Sequence, residues 1–68
     1  MIEVGKTYDF NCQRKGKFTG KVVSINGEFA YVEIVKGKAK AMMNYNVKEV
    51  GDEVGIRISF IISSKEVV

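Results

Sequence analysis

The chain has 68 residues, with eleven Lys and Arg against eight Asp and Glu, one Cys, and no His, Pro or Trp. This length predicts one domain, residues 1–68, that buries only about 60% of its unfolded surface and therefore has a thin core. One cysteine without histidine excludes an internal disulfide, a Cys/His zinc site, and Ser-His-Asp or Cys-His catalysis within the chain. We therefore expect a protein that is not an enzyme and holds no metal and no cofactor.

The net charge of +3 is unevenly distributed along the chain. Residues 1–48 carry nine basic and four acidic side chains, net +5, whereas residues 49–68 carry two basic and four acidic ones, net −2. This asymmetry indicates a basic face that meets a polyanion, although clustered lysines are also common on ordinary solvated surfaces. No window approaches the roughly 18 apolar residues of a membrane span, and the first residues do not resemble a signal peptide. We expect a cytoplasmic protein with no membrane association.

The first predicted strand covers residues 6–13, where apolar and polar side chains alternate. This alternation places Tyr8, Phe10 and Cys12 on the buried face. Cys12 is interpreted as a small buried side chain, with a reactive thiol as the less favoured alternative.

A hairpin is predicted next, from two β-rich runs at residues 18–25 and 28–35. Asn26 and Gly27 separate the runs, and both residue types accept the positive φ of a type I′ turn. The alternation slips at Val22 and Val23, just after Gly20, which predicts a bulge or a sharp coil in the strand.

Residues 38–47 fit both strand and helix periodicity, since alternation and helical spacing each group several apolar residues. We favour a strand followed by a turn near residues 47–50. The clearest core strand is predicted over residues 53–62, and residues 63–68 add a short closing strand. The buried face of the strand over residues 53–62 is expected to contain Val54, Ile56, Ile58, Phe60 and Ile62.

Four or five short strands with strong turns predict an all-β fold, a small five-stranded closed barrel. We expect an OB-like barrel, with an SH3-like barrel as the alternative.

The order of four motifs, at residues 4–10, 16–25, 29–32 and 50–58, resembles that of the TRAM domain. TRAM domains are small OB-type barrels that bind RNA, so the resemblance implies an RNA-binding barrel with residues 36–49 as an insertion. Residues 20–58 are also similar to OB-type repeats of ribosomal proteins. A KOW-like unit at residues 16–37, within an SH3-like barrel, is a further alternative.

Aromatic rings and cations are what a surface needs to bind single-stranded nucleic acid. If Ala30, Val32 and Ile34 face the core, Phe29 and Tyr31 lie together on the outer face as a stacking platform. The opposite orientation, with both rings buried, is the alternative. The cations predicted to contact phosphates are Lys21, Arg14, Lys15, Lys17, Lys36, Lys38, Lys40 and Arg57, and Arg57 is also expected to stack on a base or to pair with Glu33.

The sequence therefore predicts a non-enzymatic module that binds RNA, or single-stranded DNA, through a basic and aromatic barrel face. It would act as an RNA chaperone or as a subunit of a ribonucleoprotein. The alternative is a protein-interaction module, such as an assembly adaptor or a phage-type inhibitor, in which Met42, Met43 and Tyr45 supply an apolar patch. A weak homo-oligomer is compatible with either, because the core is thin.

Overall fold

The computed structural model describes residues 2–40 and 47–67, and nearly all of its regular structure is antiparallel β-sheet. This confirms the all-β prediction. The elements are β1 (Thr7–Cys12), β2 (Gly16–Asn26), β3 (Phe29–Gly37), β4 (Ala39–Lys40), β5 (Val47–Lys48), β6 (Glu53–Arg57), the 3-10 helix η1 (Ile58–Phe60) and β7 (Ile61–Glu66).

Five of the strands form one sheet in the order β6-β3-β2-β1-β7, and β4 pairs with β5 in a small second sheet. The last strand therefore returns to the first one. Strands β6 and β7 are the two edges, and within the described residues no ladder joins them. The predicted closure into a barrel is wrong at this point, because η1 turns the chain away from β6 before β7 begins.

The inner face of the sheet carries a single apolar core. Its four largest fully buried side chains are Val22, Val32, Ile34 and Ile56. Burial of an aliphatic side chain of this size stabilises a fold by about 1.5–3 kcal/mol, and these four come from three neighbouring strands. The predicted burial of Tyr8, Phe10 and Cys12 is confirmed, and the rings of Tyr8, Phe10 and Phe18 form a continuous row with centroids 5.6 and 5.5 Å apart.

The β2–β3 hairpin forms as predicted, but its turn lies one residue later. Asn26 pairs with Phe29, so Gly27 and Glu28 are the two loop residues. Gly27 has φ +61°, whereas neither Asn26 nor Glu28 has a positive φ. A positive φ at the first loop residue alone is the pattern of a type II′ turn, so the type I′ assignment is wrong.

The predicted irregularity in β2 is confirmed. The β2–β3 register shifts twice, between Thr19 and Gly20 and between Val22 and Ser24. Gly20 is buried between these shifts. A Cβ at this position would overlap the Val32 Cγ1 methyl, so the close approach of the two strands requires glycine here.

The long core strand predicted over residues 53–62 is broken in the structure. Val54 and Ile56 are buried as expected, but Ile62 is 61% exposed. The break arises because η1 interrupts the two-residue alternation, after which β7 pairs with β1 rather than continuing β6. The strand predicted over residues 63–68 is therefore part of β7, which ends at Glu66.

Only the ends of the segment over residues 38–47 can be compared with its prediction. Ala39–Lys40 and Val47–Lys48 form an antiparallel pair, which favours the strand interpretation at both ends. Residues 41–46, with Met42, Met43 and Tyr45, lie outside the described residues. The turn expected near residues 47–50 lies slightly later, where the Asp52 amide donates to the Glu49 carbonyl at 2.9 Å.

Candidate nucleic-acid interface

The outer face of β3 carries the two predicted aromatic side chains. Ala30, Val32 and Ile34 are all 0% exposed, and Phe29, on the opposite face, is 37% exposed. This confirms the predicted orientation of the strand. On the neighbouring strand β6, Phe29 pairs with Arg57, and Tyr31 pairs with Gly55.

Two phenylalanine rings and two guanidinium groups alternate beside Phe29. The Arg57 Cζ lies 5.0 Å from the centroid of the Phe29 ring and 5.9 Å from that of Phe60. On the other side of Phe60, the Arg14 Cζ lies 5.7 Å from the same ring centroid. We call this row, Phe29–Arg57–Phe60–Arg14, the Arg–Phe ladder. Each contact lies within the range of a cation–π interaction.

Phe60 is the member of the ladder that sequence reasoning missed. Strict alternation assigned it to the buried face of a long strand, whereas η1 places it partly exposed between two arginines. The apolar pattern contains no signal for this break. The three-residue spacing from Arg57 to Phe60 is compatible with one helical turn, but it is too short to predict one.

Arg57 pairs with a different carboxylate from the predicted one. Its Nη1 lies 3.5 Å from the Glu28 Oε2 in the β2–β3 turn, and the expected partner Glu33 is not in contact with it. The guanidinium stays on the outer face beside Phe29. Because both side chains are exposed, the pair contributes little to stability.

Tyr31 is half-buried because its ring lies over Gly55. Its Cε1 and Cδ1 atoms are 3.1 and 3.4 Å from the position that a Cβ of residue 55 would occupy. The glycine therefore provides the space in which the ring lies against the sheet. This packing holds Tyr31 in place next to the Arg–Phe ladder.

Lys21 lies on the outer face of β2, opposite the β3 residue that is two positions after Tyr31. It pairs across strands with Glu33, and Glu33 pairs in turn with Glu53 on the edge strand β6. On this rung the carboxylates therefore lie on β3 and β6, and the cation lies on β2.

A cleft of about 490 Å³, lined by charged, polar and aromatic residues, opens at the other end of the outer face. Lys17 and Lys36, both predicted site residues, line it together with Lys65, which sequence reasoning missed because it lies in the net acidic part of the chain. We call this site the lysine cleft. Its lining residues are Asp9, Phe10, Asn11, Lys17, Phe18, Thr19, Lys36, Gly37, Ser63 and Lys65.

The remaining predicted cations lie outside both groups. The Lys38 Nζ is 3.6 Å from the Glu49 Oε1, so its charge is partly neutralised. Lys15 and Lys40 are joined through their backbones, with the Lys40 amide donating to the Lys15 carbonyl at 3.0 Å. Lys15, Lys38 and Lys40 thus neither line the lysine cleft nor make the cation–π contacts of the ladder.

Residues 2–40 and 47–67 contain no group of three or more Cys, Asp or Glu side chains arranged to hold a metal ion. No helix in these two ranges has the length and apolar character needed to cross a membrane.

No protein-family model, curated protein or solved structure matches this chain. A functional assignment therefore depends on the geometry described above.

Proposed function

We propose that this protein is a non-enzymatic module that binds single-stranded RNA on the outer face of its five-stranded sheet. The observation that carries the proposal is the Arg–Phe ladder beside Tyr31. Rings and guanidinium planes are the two surfaces on which unpaired bases stack.

Contacts within the protein hold the side chains of the ladder and Tyr31, which favours binding. Arg57 is held between two rings and by Glu28, and Tyr31 is held against Gly55. Side chains that are already fixed lose less conformational entropy when a base stacks on them. Each stacked base contributes about 1–3 kcal/mol to binding.

The strand order supports the SH3-like alternative more than the OB-like one. An OB fold is a Greek-key barrel, whereas here β1, β2 and β3 pair in sequence order, β3 then pairs with β6, and the last strand returns to the first. We propose an SH3-like topology on this basis. The KOW-like alternative fits that topology, and the TRAM resemblance fits it less well.

The experiment measures the fluorescence anisotropy of a labelled single-stranded RNA octamer at low salt. Tyr31→Leu removes the ring, and we expect the dissociation constant to rise about fivefold or more, because one stacked base is lost. Tyr31→Phe keeps the ring and should bind within about twofold of the wild type. Ile62→Ala is the matched control, because Ile62 is a 61% exposed apolar side chain on the far edge strand.

Two results would contradict the proposal. One is the absence of wild-type binding at low salt, and the other is equal weakening by Tyr31→Leu and Ile62→Ala. A partner that survives nuclease treatment in a pull-down, without measurable RNA binding, would favour the protein-interaction alternative.

A further inference from the structure

We infer that the lysine cleft binds the phosphate groups of the same RNA strand whose bases stack on the Arg–Phe ladder. This inference depends on the proposed function, and it assigns a ligand chemistry to the cleft.

The cleft is built from two neighbouring rungs of the sheet. Cross-strand partners share a face, and the register places Lys36, Thr19, Asp9 and Lys65 side by side on β3, β2, β1 and β7. The adjacent rung contributes Lys17, Asn11 and Ser63. Three ammonium groups on three different strands therefore surround one open depression.

The positive charge of the cleft is left largely uncompensated. Asp9 is its one acidic lining residue, and the Asp9 carboxylate accepts a hydrogen bond from the Thr19 hydroxyl. Among the residues that the structure describes, the ion pairs involve Lys6, Lys38 and Arg57, but none of the three cleft lysines. The Lys17, Lys36 and Lys65 ammonium groups are thus available to an external anion.

The neutral side chains of the cleft fit the same ligand. Asn11 and Ser63 carry an amide and a hydroxyl that can donate to phosphate oxygens, and such groups commonly make backbone contacts to nucleic acids. Lysine suits a phosphate as a point charge, without the fixed fork geometry of arginine. Phe10 and Phe18 also line the cleft, but they are only 2% and 5% exposed, so a base finds little ring surface to stack on there.

Strand β3 links the cleft to Tyr31, which lies beside the ladder. Tyr31 and Lys36 lie five residues apart on β3, or about 16 Å at the usual rise per residue. A single strand of about four nucleotides, the lower end of common site sizes, is long enough to cross this distance. Glu33 on β3 and Glu53 on β6 repel the RNA backbone, so the favourable path passes over Lys21 on β2.

The experiment measures RNA affinity as a function of salt concentration. Each phosphate contact in a single strand contributes about 0.7 to the slope of log K against log salt. We expect Lys17→Gln, Lys36→Gln and Lys65→Gln each to lower the slope by about 0.7, and the triple variant by about 2. Lys48→Gln, a lysine on β5 outside the cleft, is the control and should leave the slope within about 0.3 of the wild type.

A second measurement uses an abasic phosphodiester octamer, which presents phosphates without bases. The wild type and Tyr31→Leu should bind it equally, and the triple variant should bind it at least tenfold more weakly. Asp9→Asn removes the one negative charge of the cleft and should tighten binding about twofold. The triple variant should unfold at the wild-type urea midpoint, since surface substitutions have small effects on stability.

The two proposals fail in different ways. If the triple variant binds RNA and the abasic octamer with the wild-type affinity and salt slope, the cleft assignment is overturned, while RNA binding by the ladder stands. If the wild type binds no RNA at low salt, the proposed function is overturned, and this inference with it.

Discussion

At the scale of single residues, Arg57 is central to the proposed interface because two rings flank its guanidinium. We predict that Arg57→Lys weakens RNA binding about threefold to fivefold although the charge is retained, because an ammonium does not present a planar stacking surface. The salt slope should stay at the wild-type value, and anisotropy across a salt series measures both quantities. Wild-type affinity in Arg57→Lys would show that charge alone accounts for the role of Arg57.

The thiol of Cys12 is buried, and burial changes its pKa. It is 3% exposed, and burial raises the pKa of the thiol from 9.0 to about 11. This environment is that of a structural cysteine and not of a reactive one.

The raised pKa of Cys12 predicts a pH dependence of stability. Because the unfolded thiol ionises at lower pH than the folded one, its contribution to stability is complete below about pH 9 and is lost as the pH rises toward about 11. The loss should be on the order of 2–3 kcal/mol.

Urea unfolding of the wild type and of Cys12→Ala at several pH values measures this loss. The difference in free energy of unfolding between the two proteins should narrow from pH 9 to pH 11. A difference that stays constant over that interval would mean that the folded thiol ionises as easily as the unfolded one.

At the scale of elements, the bulged strand β2 depends on Gly20. We predict that Gly20→Ala lowers the free energy of unfolding by about 1–3 kcal/mol, because the added methyl overlaps Val32 in a packed core. Val32→Ala makes room for it, so Gly20→Ala should cost less in that background. Urea unfolding of both single variants and of the double variant measures the coupling. Simple additivity of the two costs would contradict the overlap.

Local patterns predicted the first half of the fold better than the second half. The two-residue alternation of β1 and the Asn26-Gly27 hairpin signal depend on neighbouring residues, and both strands and their buried faces were confirmed. The turn shifted by one residue because pairing of Asn26 with Phe29 left Gly27 and Glu28 in the loop.

The break between β6 and β7 is set by distant contacts and was therefore not visible in the sequence. Strand β7 begins where Ile61 can pair with Cys12, some fifty residues earlier in the chain. That pairing fixes the start of β7 and therefore the position of η1. As a result, Phe60 lies next to Arg14 and Arg57. The orientation of Phe29 and Tyr31 was predictable from local periodicity, whereas the ladder required the tertiary structure.

At the scale of the whole molecule, charge along the chain is a poor guide to charge on the surface. Lys65 belongs to the net acidic residues 49–68 but lies beside Lys17 and Lys36, whereas Lys38 belongs to the basic part but pairs with Glu49. The return of β7 to β1 brings Lys65 to the cleft. The lysine cleft thus combines residues from both ends of the chain, which the net charges of the two halves cannot show.

The central claim, that one face of the sheet binds RNA, is tested most directly by mapping backbone amide chemical shifts during titration of ¹⁵N-labelled protein with a single-stranded RNA octamer. We predict the largest shifts along β3 from Phe29 to Lys36, in η1, and at Lys17 and Lys65, with little change over Val47–Lys48. No shifts at low salt, or shifts confined to Val47–Lys48 and the following turn, would contradict it.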